Sequence, residues 1–133
     1  MVKCNYYDSH SMLDEVSERS DFLISSDVIR GYNDTIILSL LLEKDSYGYE
    51  ISKDIRTFTK EKYIIKETTL YSAFNRLIKN NYINSYYKEG EFGKRRTYYT
   101  ITAEGRKYYQ EKCQEWAVTQ EVVNLFIKEG YNE

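Results

Sequence analysis

The sequence predicts an α+β domain, mainly α with one small β-hairpin, and three observations carry that expectation. The segment Thr68-Thr69-Leu70-Tyr71-Ser72-Ala73-Phe74-Asn75-Arg76-Leu77-Ile78-Lys79 places Leu70, Phe74, Leu77 and Ile78 at helical spacing, so one face is apolar. Its other stripe, Thr68, Ser72, Asn75, Arg76 and Lys79, carries donors and no carboxylate, which suits phosphates and base edges. After it, two aromatic-rich strand patterns, Tyr82 to Lys88 and Thr97 to Thr102, flank a turn that holds Gly90, Gly93 and the consecutive cations Lys94, Arg95 and Arg96. An apolar helix precedes this unit and a longer one follows. Helix, hairpin with a basic tip, then helix is the order of a winged helix-turn-helix with a long C-terminal dimerisation helix. Simple solvation also produces a polar helix face; the cluster of cations in the adjoining turn is what favours the first reading.

A chain of 133 residues is one domain. Its longest apolar run, Ile36 to Leu42, is interrupted by Ser39 and falls far short of a membrane span. With Asp8, Asp14 and Glu15 near the start and no apolar stretch among them, no secretion signal is legible, so a cytoplasmic protein without a membrane partner is expected. The net charge of −2 conceals an uneven distribution. From Lys66 to Lys112 ten Lys/Arg face five Asp/Glu, a balance of +5, while the remainder holds nine against sixteen, or −7. Positive charge is concentrated on the segment that would meet nucleic acid. Cys4 and Cys113 make no disulfide framework, and Cys4 with the lone His10 supplies at most half a metal site. No nucleophile–base pair or phosphate loop is present, so neither a metal, nor a cofactor, nor an enzyme is expected.

In order along the chain, residues 1–30 form an N-terminal extension. Met12, Leu13, Val16 and Phe22-Leu23-Ile24 make a broken apolar stripe, either a short amphipathic helix or a flexible end. Residues 31–102 form the winged helix-turn-helix. Asn33-Asp34 offers a helix cap before Ile36-Ile37-Leu38-Ser39-Leu40-Leu41-Leu42, which is apolar nearly all round and belongs at the centre of the core. Tyr47-Gly48-Tyr49-Glu50-Ile51 opens the next helix, with Ile51, Ile55 and Phe58 on its buried side, and Ile64-Ile65 fills the turn after it. Thr68 is the expected cap of the recognition helix, and Asn80-Asn81 ends it.

Residues 103–133 form the C-terminal helix, capped by Thr102 and running to about Lys128. Tyr109, Cys113, Trp116, Val123 and Ile127 give one stripe, widened by Ala117, Val118, Val122, Leu125 and Phe126. A domain this small cannot cover a helix of nearly 40 Å, at 1.5 Å per residue. Its bare part meets either the same helix of a second copy or, folded back, its own domain.

These residues resemble the PadR-like transcriptional regulators. The matching features are Arg30-Gly31, Tyr47-Gly48-Tyr49-Glu50-Ile51, Thr69-Leu70-Tyr71 with Arg76-Leu77, Gly93-Lys94-Arg95-Arg96 with Tyr98-Tyr99 and Thr102, then Gly105 and Trp116. The resemblance implies a homodimeric winged-helix regulator, usually a repressor, whose C-terminal helix makes most of the dimer contact. The short C-terminal helix and Trp116 look most like the members that sense multidrug-type aromatic compounds, which makes Trp116 the candidate ligand platform. Packing in a dimer core is the other role open to it. In those members the ligand pore lies at the dimer interface, which Asp14 or Glu18 of the extension could reach here, although nothing in the sequence requires it. The family often has Gly before Thr69 and Pro at the Ser72 position; Thr68 and Ser72 stand there here.

The expected double-stranded DNA contacts are then Thr68, Thr69, Ser72, Asn75, Arg76 and Lys79 from the recognition helix and Lys94, Arg95 and Arg96 from the wing. Tyr47 and Tyr71 are expected on phosphates. Arg76 has a competing role, pairing with a carboxylate on the core side. The rival reading is a winged-helix module whose partner is a protein, or a regulator without a small-molecule effector.

Overall fold

The structure, a computed structural model, describes residues 23–128. The stripe from Met12 to Phe22, with Cys4, His10, Asp14 and Glu18, lies outside the described residues. A single helical turn, α1 (Ser26–Ile29), is capped by the Ser25 hydroxyl, which accepts from the Val28 N–H. A 3-10 turn at Arg30–Tyr32 leads into α2 (Asn33–Glu43). Because the chain enters α2 with helical backbone, no side chain caps it, and the expected cap residue Asn33 is instead buried. Its Oδ1 accepts the Tyr63 hydroxyl at 2.5 Å. As its composition requires, α2 is central: Ile37, Leu38, Leu41 and Leu42 are buried, and the helix packs against the three α-helices and the sheet that follow it.

Ser46–Tyr47 forms a strand, β1, that the sequence did not reveal, since two residues show no periodicity. It leads directly into α3 (Gly48–Phe58), where Ile51 and Ile55 are buried as expected. Phe58 is not: as the last residue of α3 it projects beyond the packed turns and is 72% exposed. The chain reverses through Lys60 and Glu61, both at positive φ, and then runs extended. Extended backbone alternates its side chains, so Tyr63 and Ile65 turn inward and Ile64 outward, rather than Ile64 and Ile65 together.

The helix expected to read DNA, α4 (Glu67–Lys79), starts one residue earlier than the expected cap Thr68. Lys66 occupies the cap position without a side-chain bond, and Glu67 places a carboxylate in the first turn, where the helix dipole favours it. Leu70, Ala73, Phe74 and Leu77 are buried, whereas Ile78 lies at the edge of the stripe and is 37% exposed. Asn81, at φ 64°, ends the helix in the left-handed backbone that Asn tolerates.

β2 (Ile83–Glu89) and β3 (Arg95–Ile101) pair antiparallel from Ile83↔Ile101 to Glu89↔Arg95. β1 joins the other edge of β3, giving the order β1-β3-β2. Arg95 and Arg96 therefore belong to a strand, and of the three consecutive cations only Lys94 sits in the turn. Thr102 caps α5 (Ala103–Asn124), its hydroxyl accepting from the Gly105 N–H at 2.9 Å. α5 is shorter than expected, closing in a turn at Leu125 and Phe126. Gly105 packs against the Tyr82 carbonyl so closely that a Cβ would collide with it. Tyr109 and Cys113 complete the core, and the Phe74 ring stacks on Tyr99 at 4.0 Å.

Phe74 is 1% exposed, so Phe74→Ala is expected to cost about 3–5 kcal/mol, read as a fall in the urea midpoint. The turn between α2 and α3 carries a pH dependence. The Ser46 hydroxyl donates to Glu50 at 2.6 Å and Lys44 lies 3.3 Å from the same carboxylate. Ser46 first, then Lys44, holds the Glu50 carboxyl below its ordinary value. A carboxyl depressed in the folded chain stabilises it above its unfolded pKa of about 4.5, and that contribution is lost as pH falls through the folded value. Glu50→Gln should lower the melting temperature at neutral pH and flatten the acid limb below about pH 4.5; an unchanged limb would remove Glu50 from the account.

Candidate nucleic-acid interface

Once the apolar stripe of α4 is buried, the rest of the helix faces solvent. Thr68, Ser72, Asn75 and Lys79 are all exposed and lie at helical spacing on one stripe. Tyr71 flanks it on one side, and Thr69, half-buried, and Arg76 on the other. Glu67 is also exposed, on the Tyr71 flank at the start of the helix.

Arg76 is committed within the chain. Its Nε and terminal nitrogen lie 3.0 and 2.5 Å from the two carboxylate oxygens of Asp34 on α2, a bidentate pair that leaves half of the arginine side chain exposed. The competing role expected for it is the one this geometry displays. Fixed planar geometry makes the pair directional, and it joins α4 to the start of α2.

At the amino end of α3, Tyr47, Tyr71 and Arg96 come together although they are far apart in the sequence. They line one recess of about 340 Å³ with Gly48, Tyr49, Thr97 and Tyr99. Tyr71 lies against Gly48 so closely that a Cβ there would meet its hydroxyl and push the ring aside. The Arg96 guanidinium lies 4.5 Å over the Tyr47 ring, and that ring packs on Tyr98 at 5.1 Å. No side chain caps the start of α3, so a guanidinium, a phenol hydroxyl and the positive end of a helix border the same opening. Tyr49 and Thr97 add to the expected residues: Tyr49 stands within Tyr47-Gly48-Tyr49-Glu50-Ile51, while Thr97 carries no signal in the sequence apart from its strand.

The wing places its cations differently from one another. Lys94 is exposed at the turn, Arg95 lies 4.2 Å over the Tyr87 ring, and Arg96 is half-buried in the recess. Lys88, opposite Arg96 in the register, lies 4.9 Å over Tyr98. Aromatic rings thus hold three cations on a rigid hairpin, against the entropy that free side chains would keep.

Trp116 is remote in sequence from these residues. It is 38% exposed and meets Tyr32 edge-on, with ring centroids 4.8 Å apart. Tyr32 also lines a recess of about 350 Å³ between the 3-10 turn and Lys112, Glu115 and Thr119 of α5. Beyond Trp116, Val118, Val122, Val123, Leu125, Phe126 and Ile127 are between 48% and 77% exposed. Among the described residues no cluster of ligating side chains could hold a metal ion, and no helix is long and apolar enough to cross a membrane.

The sequence matches the model of the transcriptional regulator PadR-like family over residues 37–111, from α2 into α5. A transcriptional regulator from Clostridium thermocellum is 69% identical, covering 80% of this chain and all of its own, with a TM-score of 0.74. A PadR family transcription regulator from Clostridium difficile is 42% identical over 73% of this chain and 99% of its own, with a TM-score of 0.63. An uncharacterized protein from Lysinibacillus sphaericus is 47% identical over 80% of this chain and 97% of its own. With more than half of its length in the family model and the same helix, hairpin and helix order in its fold, the chain belongs to the PadR-like family of DNA-binding transcriptional regulators.

Proposed function

We propose that the protein is a homodimeric, sequence-specific repressor that acts in the cytoplasm and is relieved by a planar aromatic ligand near Trp116. The observation that carries the DNA-reading part is the exposed stripe of α4, where Thr68, Ser72, Asn75 and Lys79 stand side by side without a carboxylate among them. On this reading α4 enters the major groove, Thr69 and the exposed half of Arg76 reach its edge, and Lys94 and Arg95 hold flanking phosphates. Tyr47, Tyr71 and Arg96 bind one backbone phosphate in their shared recess.

Homodimerisation is supported by the bare apolar end of α5, a patch of a kind that soluble monomers rarely carry. A second copy packed there would bring two recognition helices to successive major grooves. The ligand is supported by the half-exposed indole beside an open recess, since an indole face offers dispersion area and attracts cations. The division into an N-terminal extension at 1–30, a reading domain at 31–102 and a dimerisation helix at 103–133 belongs to the same proposal. A regulator without a small-molecule effector is the second reading, favoured by the Tyr32–Trp116 contact, which gives the indole a packing role.

Lys94→Ala and Arg95→Ala should each weaken binding on all duplexes alike and reduce the slope of log affinity against log salt by about 1. Asn75→Ala or Ser72→Ala should instead change sequence preference, by about 1–3 kcal/mol at the affected base pair. Wing variants with unaltered affinity and slope would show that the wing assignment is wrong. For the effector, Trp116 is the only indole, so its fluorescence reports on that site alone. Saturable quenching by a planar aromatic cation, with a parallel loss of DNA affinity that Trp116→Phe abolishes, is the expected result. Quenching absent while DNA binding is intact would leave Trp116 as packing only.

A further inference from the structure

Phe92 stands at the tip of the wing and is 96% exposed, more than any other large apolar side chain among the described residues. We propose that it is an apolar wedge that enters the minor groove beside the site read by α4 and opens one base step there. This rests on the reading of the wing as a DNA contact.

The fold does not account for a phenylalanine at this position. The ring is too exposed to contribute to the core, and the backbone there is left-handed, at φ 63° and ψ 27°. That conformation is uncommon for a bulky residue and suits Gly or Asn better. Gly93 follows at φ 74°, so two left-handed residues in succession make the reversal. An aromatic ring held outward at a strained tip is costly for an isolated domain, and the cost is recovered only where the ring meets apolar surface outside the chain.

Its mounting is stiff. The Gly90 N–H donates to the Lys94 carbonyl at 2.5 Å, closing the loop beneath the ring, and β2 and β3 pair over their whole length below that. A ring carried on a closed turn brings little backbone freedom to lose on binding.

Charge decides between possible partners. From Lys88 to Arg96 four cations stand against the carboxylates of Glu89 and Glu91, a balance of +2, with Lys94 exposed beside the ring. Cations of that kind draw the tip to a polyanion, and phosphates offer nothing to a phenyl ring. In the minor groove, which carries no thymine methyl, the apolar surface that a duplex can present to it is the face of an unstacked base pair. Apolar side chains inserted from the minor groove unstack a step and kink the duplex by about 20–90°. The energy required is least at pyrimidine–purine steps, TA above all. Phe92 would therefore impose a sequence preference on a flanking step that no hydrogen bond from α4 reads.

The test uses the full chain and a duplex selected with it from random-sequence DNA, with 2-aminopurine moved stepwise through the flanks and a fluorescence energy-transfer pair at the ends. Wild type should raise 2-aminopurine emission at one flanking step and shorten the end-to-end distance. Phe92→Ala should lose both signals and about tenfold or more in affinity, and Phe92→Leu should retain them. Lys94→Ala should weaken binding but unstack the same step at saturation. The wedge is overturned if no flanking step brightens with wild type, or if Phe92→Ala matches wild type while Lys94→Ala weakens binding; the wing then only clamps phosphates. Should Lys94→Ala and Arg95→Ala also leave affinity and salt slope untouched, the failure belongs to the wing reading itself.

Discussion

Helix α2 is the constraint on which the rest depends. Apolar nearly all round, it can be satisfied only if other elements cover every side, and α3, α4, α5 and the sheet each supply part of that cover. Burying a leucine or isoleucine side chain contributes about 1.5–3 kcal/mol, so Ile37, Leu38, Leu41 and Leu42 outweigh any surface contact in the domain. Polar contacts at the amino end of α2 join it to two further elements. Asn33 holds Tyr63 in the connector, and Asp34 holds Arg76 on α4. The second pair is half exposed and adds little to stability.

The same helix relates the two ends of the molecule. Tyr32, immediately before α2, touches Trp116 on α5, while Asp34, in its first turn, grips α4. Tyr32 and Asp34 stand two residues apart, so the indole and α4 each contact the same short stretch at the start of α2. Any ligand that binds Trp116 with unequal affinity in two positions of α5 would bias α4 by that difference and no more.

How much of this was legible in the sequence follows from physical scale. The helices were, because Leu70, Phe74 and Leu77 or Ile51 and Ile55 repeat over several turns. The hairpin was, through its aromatic strands and glycine-bearing turn, and the family resemblance rested on the same residues. Features decided by one or two residues were not: β1 is too short for a pattern, and Phe58, Ile64 and Ile78 depart from their stripes at helix ends and in extended chain, where period gives way to local geometry. The recess was out of reach for another reason. Tyr47, Tyr71 and Arg96 are each legible singly, but their meeting depends on how α3, α4 and β3 pack. Arg76 was legible only as a choice between a base and a carboxylate, and Phe92 passed as one more turn residue because its meaning lies in its exposure.

Hydroxyl-radical footprinting of side chains, read by mass spectrometry with and without a selected duplex, tests the account most directly, because Tyr71, Tyr87 and Phe92 are exposed on α4 and the hairpin while Trp116 and Phe126 are exposed at the far part of the chain. If α4 and the wing read DNA, Tyr71, Tyr87 and Phe92 should become protected on adding duplex, while Trp116 and Phe126 keep the reactivity they have in the free protein. Protection confined to Trp116 and Phe126, with Tyr71 and Phe92 still reactive in the complex, would contradict it.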